Sequence, residues 1–164
     1  MRAPKKPVLV TGGSRGLGRA LSRHLAAGGG AGGVHLTLAT SPAPRRRSTV
    51  GLNHRASTNA AVNLPDLLVA ARHERIEEQL DVNLLGPILC ARAVLPVMLE
   101  QKAGVIVNVG SVAAERPFRG QAVYAATKGG LESFTRALAL YLLSDKAAFM
   151  TGSVHTIDGG YLQG

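Results

Sequence analysis

The chain has 164 residues, of which 46% are hydrophobic and 4% aromatic, with no Trp. That is enough for one domain around a core of Ala, Val, Leu and Ile, and too apolar for a disordered chain. The formal charge of +9 is lopsided: ten Lys and Arg and no acidic residue precede Asp66, whereas nine basic and ten acidic residues nearly cancel from there on. A basic half without stacking aromatics, helix-turn-helix or zinc-knuckle spacing speaks against nucleic acid and for an anionic ligand or an acidic protein partner.

Residues 7–11 (PVLVT) form a short apolar run that ends at glycines, the pattern of a buried strand. Leu17, Ala20, Leu21, His24 and Leu25 then recur at helical spacing until glycines 28–30. Between strand and helix lies Thr11-Gly12-Gly13-Ser14-Arg15-Gly16-Leu17-Gly18, a TGxxxGxG loop. Glycines let the backbone approach a diphosphate, and the helix start offers free N–H groups, so Gly12, Ser14, Arg15, Gly16, Leu17 and Gly18 are candidate nucleotide contacts. A glycine turn that serves only helix packing would look the same. Residues 34–39 (VHLTLA) read as a second strand. An unphosphorylated ribose would favour an acidic residue at its end; instead Thr40 and Ser41 stand there, with arginines 45–47 beyond, which suits a 2′-phosphate and favours NADP(H) over NAD(H). The arginine run reads equally as solvated charge. Residues 40–58 have Pro breaks and no periodicity and are expected to be irregular loop.

A helix is expected over residues 74–101, with Ile76, Leu80, Leu84 and Ile88 as apolar positions and a bend near Gly86 and Pro87. Residues 104–109 (GVIVNV) read as a third strand and residues 121–143 as a long helix with Phe134, Leu138, Tyr141 and Leu142 on one face. Residues 153–157 read as a final strand, closed by Asp158-Gly159-Gly160. The β-α-β order implies one α/β domain over residues 1–164, a Rossmann-like doubly wound parallel sheet flanked by helices, with ligands at the carboxyl ends of the strands.

Tyr124-Ala-Ala-Thr-Lys128 puts a phenol and an ammonium on one helix face. A free phenol with a pKa near 10 is a poor proton carrier at neutral pH, and a neighbouring ammonium favours its phenolate. Ser111 follows the third strand at its carboxyl end, where its hydroxyl can bond a substrate carbonyl.

Taken together, these motifs resemble the short-chain dehydrogenase/reductase family: TGxxxGxG at Gly12, Gly16 and Gly18, an NNAG-like turn at Asn59-Ala60-Ala61, Asn83 in a central helix, then Ser111, Tyr124 and Lys128. The resemblance implies that Tyr124 passes a proton to a carbonyl while hydride arrives from the nicotinamide. It also implies that Lys128 tunes the phenol and holds the nicotinamide ribose, Ser111 polarises the carbonyl, and Asn83 holds a relay water. A helix-bend residue bonding to backbone is an equal reading of Asn83. Asn59 and Ala60 are implied cofactor contacts. Within the family, TGGSRGLGRAL, LATS, GQAVYAATKGGLESFTRALA and SDKAAFMTGSVHTIDGGY are similar to the bacterial-type 3-oxoacyl-[acyl-carrier-protein] reductases. That implies NADPH-dependent reduction of a 3-oxoacyl thioester and a homotetramer; Arg116 and Arg119 read equally as contacts for an acidic carrier protein and as ordinary loop charges.

Two stretches typical of the family lack counterparts, so the chain reads as internally shortened. Between Ala39 and Asn59 no strand is visible, and after Leu143 the family's Pro-Gly turn and substrate-covering segment are missing. Four candidate strands remain, and a catalytically inactive form that binds nucleotide or full-length subunits is the alternative. Cys90 is the one cysteine, which excludes an intrachain disulfide and favours a reducing compartment. Histidines 24, 35, 54, 73 and 155 show no metal-ligand spacing, so no metal is expected. No apolar run reaches the ~20 residues of a bilayer span. Cytoplasm is the expected location, with the mitochondrial matrix the alternative suggested by an Arg-rich, acid-free start.

Overall fold

A strand in the middle of a parallel sheet is ordinarily a run of Val, Ile and Leu, because both its faces are covered. Here the middle strand reads Arg-Ala-Ser-Thr. In the computed structural model, which describes residues 8–10, 19–20, 23, 55–100, 104–142 and 156–163, three strands form one sheet in the order β1-β2-β3. They are β1 (Val8–Val10), β2 (Arg55–Thr58) and β3 (Val105–Asn108). All pairings are parallel: Leu9 lies opposite Ala56, and Ala56 opposite Ile106.

The expectation of loop over residues 40–58 is therefore wrong for its last four residues, which form β2; residues 40–54 lie outside the described part. Two neighbours' ladders hold β2 where its own composition would not. Its Ala56 joins Val94, Met98 and Ile106 in a small buried cluster. Thr58 donates its hydroxyl to Asn108 Oδ1 at 2.5 Å, and Val109 N–H donates to Thr58 O at 3.0 Å, extending the pairing past β3. Each of the larger buried aliphatic side chains contributes about 1.5–3 kcal/mol.

The described residues sort into two compact units. Met1–Ala61 with Pro87–Val109 holds the sheet; Val62–Gly86 with Gly110–Gly164 holds the segments from which the candidate catalytic residues come. Residues 11–18 and 34–41, with the glycine loop and the expected second strand, lie outside the described part. Arg19, Ala20 and Arg23 are helical, as expected.

Residues His73–Glu100 are helical throughout, as α1 (His73–Leu80), a π turn (Asp81–Leu85) and α2 (Gly86–Glu100). At the place where a bend was expected, Gly86 N–H reaches back to Asp81 O in a π turn. Such turns absorb a break in the helical ladder, and Pro87 supplies one because it has no N–H to donate. The buried face also differs from the apolar pattern: Gln79 and Asn83 are buried, whereas Leu80 and Leu85 are exposed. By length and composition the helix is apolar enough to cross a membrane, although Arg92 splits it and no unbroken apolar run reaches ~20 residues. A core helix of an α/β protein meets the same test. The long helix expected over 121–143 is α3 (Ala122–Leu142). Thr156 and Ile157, the described end of the expected final strand, are not strand; Ile157 is 97% exposed and has no ladder partner among the described residues. The Asp158-Gly159-Gly160 turn is present, with both glycines at positive φ.

In β2, Ser57 lies in register with Val10 and Val107, and its Oγ is buried without a hydrogen-bond partner among the described residues. A hydroxyl in that state costs stability. Ser57→Ala is expected to raise the unfolding free energy by about 1 kcal/mol in urea titration. Destabilisation instead would mean that the hydroxyl is bonded.

Candidate active site

The loop that leaves the sheet after β2 would wander without something to hold it, because residues 61–66 form no regular element. Two carboxamides, one helical turn apart on the same face, hold it within the second unit. Asn83 is fully buried: its Oδ1 accepts Val62 N–H at 2.8 Å, and its Nδ2 donates to Val62 O at 2.8 Å. Gln79, also buried, accepts Leu64 N–H at 3.2 Å and donates to Leu64 O at 3.4 Å. Further out, Arg75 pairs with Asp66 at 3.2 Å.

Asn83 Nδ2 also donates to Thr127 Oγ1 at 3.2 Å, and Thr127 in turn donates to Tyr124 O at 2.7 Å. This chain runs from the π turn into α3 at the tyrosine itself. Around it α3 buries Thr127, Lys128 and Leu131, residues at helical spacing on one face. Gly130 marks a close approach: a Cβ there would lie 3.3 Å from Leu84 Cδ2 of the π turn. Thr127 and Gln79 were not singled out in the sequence. The signal available was a hydroxyl one turn after Tyr124 and an amide one turn before Asn83.

Lys128 is 2% exposed, with Nζ 5.9 Å from the centre of the Tyr124 ring. Burial lowers its pKa from the usual 10.5 to about 8, so the ammonium holds its proton far less firmly than a surface lysine. Ser111 sits in extended backbone and caps the turn Val112–Ala114; its hydroxyl accepts Ala113 N–H at 3.2 Å, which leaves its own proton to donate. That turn packs against α3, as do α1 and the π turn.

Ser111, Tyr124, Lys128 and Asn83 are thus carried by one unit. Asn83's carboxamide is taken up by backbone and Thr127. Of the expected cofactor contacts, Gly12, Ser14, Arg15, Gly16, Leu17, Gly18, Thr40 and Ser41 lie outside the described residues. Asn59 and Ala60 are half-buried just past the carboxyl end of β2. Among the described residues, no group of three or more His, Cys, Asp and Glu is placed to hold a metal.

The model of the short chain dehydrogenase family matches residues 56–156. A 3-oxoacyl-[acyl-carrier-protein] reductase of Bos taurus is 36% identical over 181 residues, covering 92% of this chain and 76% of that protein. The chain belongs to the short-chain dehydrogenase/reductase family. Carbonyl reductase family member 4 of Xenopus tropicalis is 31% identical over 82% of this chain and 68% of its own length. Among solved structures, a short-chain dehydrogenase from Streptomyces avermitilis superposes with a TM-score of 0.71 at 23% identity, over 87% of this chain but 62% of that one. The fold is accordingly the Rossmann-like parallel sheet with flanking helices, shortened relative to the family. The bovine alignment is longer than this 164-residue chain, although only 92% of the chain enters it, so that relative carries internal residues this chain lacks.

Two outcomes follow for stability. Asn83→Ala strands the Val62 N–H and C=O in a half-buried place and is expected to cost about 2–3 kcal/mol, against about 1 kcal/mol for Thr127→Val, by urea titration. Equal costs would remove Asn83 from its central place. For Lys128, the unfolded chain keeps its proton up to 10.5 while the folded chain releases it at about 8. The unfolded state therefore binds more protons in that window, and Lys128's titration makes stability rise with pH across it. The rise is expected to vanish in Lys128→Met; an unchanged pH profile of unfolding would contradict it.

Proposed function

We propose that this chain is an NADPH-dependent carbonyl reductase acting on a 3-oxoacyl thioester. The observation that carries the reading is the buried Lys128 ammonium beside the Tyr124 ring on the α3 face fixed by Asn83. A group that is buried and eased toward deprotonation is suited to passing a proton, and a phenol next to it is suited to donating one to a carbonyl oxygen.

Ser111 donates its free hydroxyl proton to the substrate carbonyl and orients it. Tyr124 gives its proton to the same oxygen as it becomes a hydroxyl. Lys128 lies within one helical turn and stabilises the phenolate left behind. The water expected at Asn83 falls to that residue's backbone carbonyl, because the side chain is committed and Pro87, four residues on, has no N–H to give it. A dihydronicotinamide, when bound, supplies the hydride. An ammonium and a phenol on one face fit its ribose hydroxyls, and Asn59 and Ala60, with the glycine loop from Gly12 to Gly18, are the residues to hold the rest. Thr40, Ser41 and the arginines after them favour the phosphorylated cofactor.

Arg119 is exposed and suits an acidic carrier protein, whereas Arg116 is turned toward Tyr161. In this reading the helix His73–Glu100 is a core and subunit-contact element of a homotetramer, not a membrane span. Neither a metal nor nucleic acid takes part, and the chain works in the cytoplasm or the mitochondrial matrix.

A specific observation favours a second reading, a catalytically inactive form that binds nucleotide or full-length subunits. The bovine relative has internal residues absent here, and Val105 and Val107 of β3 are exposed. Loss of NADPH absorbance with an acetoacetyl thioester separates the two. The wild-type chain is expected to turn over, and Tyr124→Phe to lose turnover by at least about a hundredfold while still binding NADPH. Binding of NADPH without turnover in the wild type supports the inactive form.

A further inference from the structure

Between Ser111 and Tyr124 the chain makes an exposed excursion over residues 115–120 with no helix or strand to fix it. Any slack there is felt at both of its ends, where the serine hydroxyl and the phenol stand. The excursion is tied at its far end: Asp66 N–H donates to Gly120 O at 2.9 Å, and Gly120 takes φ +81° with its missing Cβ against the Asp66 backbone. Gln121 closes a local ring, its side chain accepting Phe118 N–H at 3.0 Å and its own N–H donating to Phe118 O at 3.1 Å.

The middle is held from a distant part of the sequence. Arg116 Nη1 donates to Tyr161 O at 3.2 Å, and the same guanidinium lies 5.4 Å from the centre of the Tyr161 ring. Phe118 packs on that ring at 5.7 Å between centroids, tilted by 47°. Tyr161 is itself presented by a built turn: the Asp158 carboxylate accepts Leu162 N–H at 2.8 Å and Gly160 N–H at 2.9 Å, bonds that hold its pKa below the usual carboxylate range. All these residues belong to the second unit.

We infer that Tyr161 and Arg116 are positioning residues, a clasp by which the segment Thr156–Gln163 fixes the loop between Ser111 and Tyr124. The inference rests on the proposed reductase activity for its catalytic consequence, but the clasp itself is measurable without turnover. Neither residue touches the reacting atoms; both act through the loop. A ring with a guanidinium over it and an aromatic neighbour is worth a small multiple of thermal energy at an exposed site, enough to change how often the loop opens but not whether the chain folds.

The test compares wild type, Tyr161→Ala and Tyr161→Phe by hydrogen exchange of amides 115–121 and by steady-state kinetics with NADPH and an acetoacetyl thioester. Tyr161→Ala is expected to speed exchange in the loop about threefold and to raise the KM for the carbonyl by a similar factor, with the KM for NADPH and the melting temperature unchanged. Tyr161→Phe keeps ring and backbone and is expected to restore both. Unchanged loop exchange in Tyr161→Ala overturns the clasp even if no variant turns over. Faster exchange with unchanged carbonyl KM and kcat overturns the positioning role. An equal rise in both KM values assigns Tyr161 to general stability and overturns it too. If the wild type has no activity, the proposed function fails, and the exchange result alone then decides the clasp.

Discussion

The Asn83 carboxamide is the constraint on which the rest of the second unit depends. It is fully buried and makes three bonds, two to the Val62 backbone and one to the Thr127 hydroxyl. A buried amide is tolerated only when its donors and acceptor are matched, and an amide so matched accepts little displacement of its partners. Three stretches far apart in sequence are held by one planar group: the exit from β2, the π turn and α3. Because the Thr127 hydroxyl in turn donates a hydrogen bond to the Tyr124 carbonyl, the same group sets the start of the helix that carries the phenol.

With the tyrosine end of α3 fixed, the helical repeat puts Lys128 on the buried face beside the phenol. The ammonium is there at a cost, visible as a pKa pushed down to about 8. Apolar side chains would stabilise that position better, and a lysine kept there fits the proton-transfer role proposed above. The Gln79 bonds to Leu64 repeat the Asn83 arrangement one turn earlier, and together they hold a loop that has no ladder of its own.

Much of this was legible in the sequence because it is local. VLV and VIVN are strands by their apolar runs, YAATK places its phenol and ammonium by helical spacing, and Ser111 stands directly after a strand. β2 was not legible, since Arg55, Ser57 and Thr58 look like loop and only pairing on both sides makes them strand. The helix His73–Glu100 was legible as a helix but not in its orientation. The leucine pattern marks Leu80 as core, whereas the loop's unpaired backbone draws Gln79 and Asn83 inward and leaves Leu80 exposed. Residues 153–157 read as a strand from Val154 and Ile157, yet at its described end Ile157 is exposed and pairs with no described strand. The contact of Arg116 with Tyr161 spans 45 positions and leaves no periodic trace.

Hydride transfer in a single turnover is the most direct measure of whether the phenol and ammonium on this locked face do reductase chemistry in so short a chain. With NADPH deuterated at its reactive carbon and an acetoacetyl thioester, the wild-type chain is expected to deliver deuterium to the hydroxyl-bearing carbon of the product, and Tyr124→Phe to deliver essentially none. Unlabelled product from the wild type, or equal labelling by the phenylalanine variant, would contradict the assignment.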